Sequence, residues 1–97
     1  MAKGKVFISG KVSGMDYQEA CRKFYDASAK LLRLGFTPIM PVELCRAHWS
    51  WHRCMAVCLW HLLWCRGFCQ LDNWEDSRGA RIEYRIARLL GKKFIFL

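Results

Sequence analysis

Acidic residues, proline and long apolar runs are all scarce in this chain. Eight Asp and Glu stand against sixteen Lys and Arg, a formal charge of +8. That balance points to anionic partners: phosphorylated small molecules, nucleic acid or an acidic surface. With only two prolines and its glycines scattered singly, the sequence has no linker, repeat or low-complexity tract. The longest apolar stretch, Cys54–Cys65, is broken by His61 and is shorter than the ~20 residues of a bilayer span, which excludes a membrane-spanning helix. Met1–Val6 carries no h-region or cleavage site, so no secretory signal is expected. What the chain has in quantity is apolar surface: 54% hydrophobic and 14% aromatic residues in a length of 97. This suits one core and a single domain over 1–97, and excludes disorder. Without a signal, the six cysteines read as reduced thiols in the cytoplasm.

Periodicity supplies the elements. Val6-Phe7-Ile8 is a short apolar run ending at Ser9-Gly10, as a buried parallel strand ends. Asp16 and Glu19 form a capping-box pattern ahead of Ala20, Phe24, Ala27 and Leu31 at helical spacing, with Gly35 closing the helix. Phe36–Ile39 is a second strand whose Pro38 places it at a sheet edge. Residues 51–65 are apolar almost all round, a helix to be buried on two sides, with a subunit interface as the second. Phe68–Leu71 is a third strand, Asp72–Ser77 a polar loop, and Ala80, Ile82, Ile86, Leu89 and Leu90 the face of a third helix that ends at Gly91. Phe94–Leu97 is the last strand. The order βαβαβαβ predicts an α/β fold with a parallel four-stranded sheet.

Ligands of such sheets bind beyond the carboxyl ends of the strands, near the switch in strand order. Three loops qualify: Ser9–Met15, Met40–Ser50 and Asp72–Gly79. In the first, Ser9, Gly10, Lys11, Ser13 and Gly14 offer backbone N–H groups, two hydroxyls and a cation, which suits a phosphate or a sugar hydroxyl. The Gly-Lys-Ser/Thr ending of a Walker loop is missing, and an ordinary turn is the competing reading. In the third, Ser77 can cap the following helix, and Gly79 permits close approach to its start. Glu83 follows four residues on, its carboxylate expected to stay ionised beside helix N–H groups, as a nucleophile requires. The alternative is a first-turn acid paired with a surface arginine.

Val6–Gly10 with Ser13-Gly14, Pro41-Val42-Glu43-Leu44, Trp51, Met55 and the string Trp74–Glu83 resemble a small nucleoside 2-deoxyribosyltransferase-like family, found often in bacteria and phages and largely without assigned function. The resemblance runs nearly end to end and is most specific in Trp74–Glu83. It implies a flavodoxin-like three-layer sandwich and chemistry at the glycosidic bond of deoxynucleosides or their 5′-monophosphates, as N-glycosidase or 2-deoxyribosyltransferase. Glu83 matches the nucleophile that attacks the anomeric carbon. Ser9, Gly10 and Ser13 match the ligand-holding loop. Ser77 stands where related nucleotide N-glycosidases place a phosphate-binding serine, and with Arg78 it favours a phosphorylated ligand. The chain departs from the family at Cys58, where an assisting Asp is usual, and at Arg66, which replaces a second Asp. Retaining glycoside chemistry uses two carboxyls, and Asp72, Asp76 or Glu43 are the candidates for the second. The rival reading is a catalytically weak or inactive nucleotide sensor of the same fold.

Other features have structural readings. Cys54, Cys58, His61 and Cys65 form one helical stripe ~16 Å long, too long for one zinc ion to gather, and no Cys-x-x-Cys pair exists. No metal and no cofactor are therefore expected. Trp60 and Trp64 read as structural, and Trp49 and Trp51 as a ligand lid. Arg78, Arg81, Arg85, Arg88, Lys92 and Lys93 form a basic stripe without aromatic interleaving, so nucleic acid is not the expected partner. A small nucleoside or nucleotide and a homodimer or larger homo-oligomer are.

Overall fold

In the computed structural model, which describes residues 3–46 and 48–97, four parallel strands lie in the order β2-β1-β3-β4. The expectation that drew on Met1 and Ala2 lies outside the described residues, as does Ala47 of the second loop. Strand β1 (Lys5–Ser9) is central, pairing Val6 with Pro38 of β2 (Thr37–Ile39) and Phe7 with Phe68 of β3 (Gly67–Gln70). The outer strand β4 (Lys93–Phe94) pairs Gly67 with Lys93. Pro38 thus sits on an edge strand, where a missing N–H costs no central ladder bond. β4 is shorter than the expected Phe94–Leu97, although Ile95 N still donates to Phe68 O. β3 ends at Gln70, leaving Phe96 and Leu97 exposed beyond the ladder.

The helices cover both faces, giving the three-layer flavodoxin-like arrangement. Helix α1 (Tyr17–Arg33) starts at Asp16, whose Oδ2 accepts the Glu19 N–H, and buries Ala20, Phe24, Ala27, Ser28 and Leu31. That stripe packs with Val6, Ile8, Met40, Cys69 and Leu71 into one core. On the opposite face Phe7 and Phe68 pack with Cys58, Leu62 and Cys65 from α3 (Trp51–Trp64) and its end, and with Ala87 of α4 (Arg78–Leu89). Alternate residues of β1 thus serve opposite cores, as the two-residue period of a strand requires.

Two further elements depart from the sequence reading. Pro41–Leu44 forms a one-turn helix, α2, inside the expected second loop; Pro41 at its start has a pre-set φ, and four residues are too few to show periodicity. Helix α3 is buried on one side in the single chain: Cys58 and Leu62 face the sheet, while Trp60 (61% exposed), Leu63 (43%) and Trp64 (64%) face outward. Among the described residues no helix is long and apolar enough to cross a membrane.

Candidate active site

The strand order changes direction at β1: β2 lies on one side of it and β3 on the other. A cavity of about 60 Å3 opens beyond the carboxyl end of β1. One wall is polar, with Gly10, Ser13, Ser77, Gly79 and Glu83 from the first loop and the start of α4; the other is apolar and sulfur-bearing, with Trp51, Cys54, Met55 and Cys58 from α3.

Glu83 is buried, 3% exposed, and accepts a 2.7 Å hydrogen bond from the Ser9 hydroxyl, which is itself fully buried. Burial pushes its carboxyl up from 4.5 to about 7, and the Ser9 hydrogen bond opposes the shift. This corrects the expectation of a permanently ionised group. Glu83 is the sixth residue of α4, beyond the first turn where N–H groups are free, and α3 shields it from water. Near neutrality the acid and carboxylate forms therefore coexist.

Local devices fix this geometry. Ser77 caps α4 by accepting the Ala80 N–H at 3.2 Å. A Cβ on Gly79 would lie 2.9 Å from Met55 Sδ and 3.7 Å from Trp51 Nε1, so this position holds α4 against α3. A Cβ on Gly10 would meet the Leu71 side chain at 2.5 Å, a contact only glycine accommodates. Asn73, which periodicity does not single out, accepts the Lys11 N–H at 3.1 Å and ties the first loop to the third. Its only sequence signal is its place in a polar turn.

Not every expected residue lines the cavity. Ser9 is buried behind Glu83, Lys11 is tied to Asn73 by its backbone N–H, and Gly14 (φ +83°) shapes the loop; none of the three is among the lining residues. Arg78 lies over the Trp51 ring, 4.8 Å from its centroid, at the outer side of the α3 wall. None of the three candidates for a second carboxyl contributes to the lining. Asp72 is exposed and paired with Lys23 at 3.2 Å, and Asp76 and Glu43 are exposed. Glu83 is the only carboxyl among the described lining residues. Cys58, where the family resemblance leads one to expect an acid, lines the cavity at 1% exposure; burial, and secondarily Glu83, push its thiol up to about 12.

A second cavity of about 370 Å3 shares Val12, Ser13, Pro41, Trp51 and Cys54 with the first and extends to Tyr17, Arg46 and Trp49. Trp49 and Trp51 therefore border open space, whereas Trp74 stacks on Tyr84 at 4.8 Å and belongs to the α4 packing.

The cysteines require a further correction. Cys45, capping the end of α2, is joined to Cys54 by a disulfide with Cα atoms 5.4 Å apart. The chain reverses between α2 and α3, bringing together two residues that local sequence does not relate. Cys21, Cys58, Cys65 and Cys69 are free.

Comparison with solved structures shows the same fold in nucleoside enzymes. A 2-deoxyribosyltransferase from the psychrotolerant bacterium Bacillus psychrosaccharolyticus superposes with a TM-score of 0.72 at 21% identity, over 95% of this chain and 70% of that one. A 2-deoxyribosyltransferase from Leishmania mexicana gives 0.69 at 17% identity, over 96% of this chain and 63% of that one. The present chain thus spans about two thirds of these enzymes. No curated protein matches it by sequence. The family model of a domain of unknown function, DUF4406, matches residues 4–96, and with nearly the whole length accounted for the chain belongs to the DUF4406 family.

Proposed function

We propose that the chain breaks the N-glycosidic bond of a 2′-deoxynucleoside or its 5′-monophosphate, with Glu83 as nucleophile. One observation carries this reading: a buried carboxyl, oriented by Ser9, heads a small cavity at the sheet's switch point. The Glu83 carboxylate attacks the anomeric carbon, and the C–N bond electrons leave with the base, which takes up a proton. Water, or a second base, then displaces the sugar from the ester. Hydrolysis and transfer share the first half of this course.

The phosphate of a monophosphate suits Ser77 and the start of α4, beside the Arg78 guanidinium over Trp51. Free N–H groups and a neighbouring cation favour an anion there. Gly10 and Ser13 suit the sugar, and the larger cavity beside Trp49 and Trp51 suits the base.

The rival, a nucleotide-binding protein with little turnover, rests on the absence of a second carboxyl among the described lining residues. Incubation with deoxynucleosides and their monophosphates, followed by chromatography for free base, separates the two. Base release abolished in Glu83→Gln supports the enzyme, and ligand binding without release supports the sensor. A second copy of the chain is the proposed cover for Trp60, Leu63 and Trp64, which light scattering tests at micromolar concentration. A monomer mass would overturn it. A cytoplasmic location is the proposed one: the four free thiols fit it, whereas the Cys45–Cys54 disulfide would have to be reduced there.

A further inference from the structure

A disulfide needs two cysteines, yet the Cys45–Cys54 pair has a third beside it. Cys58 Sγ lies 3.7 Å from Cys45 Sγ and 4.0 Å from Cys54 Sγ. The three sulfurs fall within 4.8 Å of one another. Cys54 and Cys58 are one turn apart on α3, so their side chains share a face, and Cys45 is brought over that face by the reversal after α2. The zinc exclusion drawn from the helical stripe concerned Cys54, Cys58, His61 and Cys65 taken together; this cluster keeps Cys54 and Cys58 and adds Cys45 from outside the stripe.

The spacing has a chemical meaning. Zinc–thiolate bonds are ~2.3 Å long, so three thiolates on one ion at tetrahedral to trigonal angles stand ~3.7–4.0 Å apart. The two separations that involve Cys58 already have these lengths. The third pair, Cys45 and Cys54, is joined as a disulfide, which opens on reduction.

We propose that the reduced chain holds one soft divalent cation, of the Zn2+ or Cd2+ type, on Cys45, Cys54 and Cys58. Thiolates select such ions over Mg2+ or Ca2+. A phosphine supplies two electrons to the disulfide and becomes the phosphine oxide, taking its oxygen from a water whose two protons complete the two thiols; a dithiol supplies both electrons and both protons and closes to its own disulfide. Binding of the ion then releases three thiol protons to solvent. Disulfide and ion exclude each other, because both use Cys45 and Cys54. Cys54 and Cys58 also line the cavity that holds Glu83, so the cluster, when loaded, forms part of that cavity's wall. Because binding releases these thiol protons, uptake should weaken as pH falls. The inference holds whether or not Glu83 is a nucleophile.

The test is a titration of the intact chain with Cd2+ after phosphine reduction and anaerobic desalting. The readout is the ultraviolet thiolate-to-cadmium charge-transfer band, with native mass spectrometry for stoichiometry. The expected result is one ion per chain in the reduced protein and none in the disulfide form, a contrast that needs no substitution. Cys45→Ser removes the partly exposed ligand outside the helices and should abolish the band, while Cys21→Ser on α1 should leave it unchanged. A reduced wild-type chain that takes up no Cd2+, or a Cys45→Ser chain that binds as the wild type does, would overturn the proposal.

Discussion

The two walls of the cavity differ in chemistry and in what holds them in place. On the polar side, Ser9 ends a central strand, Ser77 caps the helix that follows, and Glu83 projects from that helix two turns on. Each position follows from an element boundary a few residues away. On the sulfur side, Trp51, Cys54, Met55 and Cys58 are held by α3, which meets the sheet through Cys58 and Leu62 and meets α2 through Cys45. Their positions depend on contacts distant in sequence. The ionisation of the first wall depends on the second: Glu83 is oriented by Ser9 but protonated more readily because α3 keeps water away.

The largest expected effect of breaking the contrast comes from the polar wall. Glu83→Gln keeps the shape and the acceptor for Ser9 but loses the proposed nucleophile. Base release should fall by roughly 10²–10⁴-fold or more, the scale of one positioned catalytic group. Release at the wild-type rate would remove Glu83 from the mechanism. In the wild type the rate should rise with pH through about 7 as the carboxyl ionises, and Ser9→Ala, which deletes the opposing hydrogen bond, should move that rise to higher pH.

Next in size is a charge placed on the sulfur wall. Cys58→Asp restores the acid expected from the family resemblance, beside a carboxyl that is already buried. Two such groups cannot both ionise cheaply, and one will hold its proton well above neutrality. Folding should lose several kcal/mol at pH 8, a fall in Tm of order 10 °C or more for a domain of ~100 residues. A gain in base release with Tm preserved would show instead that the sulfur wall can accept the second catalytic acid.

These two substitutions also mark how far the sequence was legible. Strand β1, helix α1 and the Ser77 cap could be read because each depends on residues within one or two turns. The parallel order, and with it a site at the first and third loops, followed from chain connectivity. The ionisation of Glu83 could not be read, since it depends on α3 lying over it. Cys45 could not be assigned to Cys54 and Cys58, because only the reversal after α2 joins them. Helix α3 is apolar nearly all round, so its pattern did not reveal that Cys58 and Leu62 would face inward and Trp60 and Trp64 outward.

A third, smaller effect follows from linkage. The carboxyl of Glu83 is about 7 in the folded chain against 4.5 when unperturbed, so between these values the folded state holds more protons than the unfolded. Its contribution to stability is complete below about pH 4.5, is lost as pH rises towards 7, and stays lost above. The interval corresponds to about 3 kcal/mol, of which Glu83→Gln should recover about 1–3 kcal/mol at pH 8 after the burial of its amide N–H2. Thermal melts of both chains at pH 4.5 and pH 8 check this. The variant should gain several degrees over the wild type at the higher pH only; an equal difference at both would mean that Glu83 is not titrating across that range.

The smallest effect is expected at the seam between the walls. Gly79→Ala adds one methyl to α4, where its Cβ would lie 2.9 Å from Met55 Sδ. The neighbour is a flexible thioether, which can move by rotating about its own bonds. Alanine also favours the helix by up to ~1 kcal/mol over glycine, so the two contributions to stability oppose each other and Tm should change by only a few degrees. Binding has no such compensation. The displaced Met55 side chain and the new methyl both enter the space shared with Trp51, while Glu83 and Ser9 keep their hydrogen bond on the far side. KM should therefore rise several-fold with kcat nearly unchanged, the signature of weaker ground-state binding. A loss confined to kcat would show that the position of the sulfur wall acts on the chemistry at Glu83 as well as on the room left for the ligand.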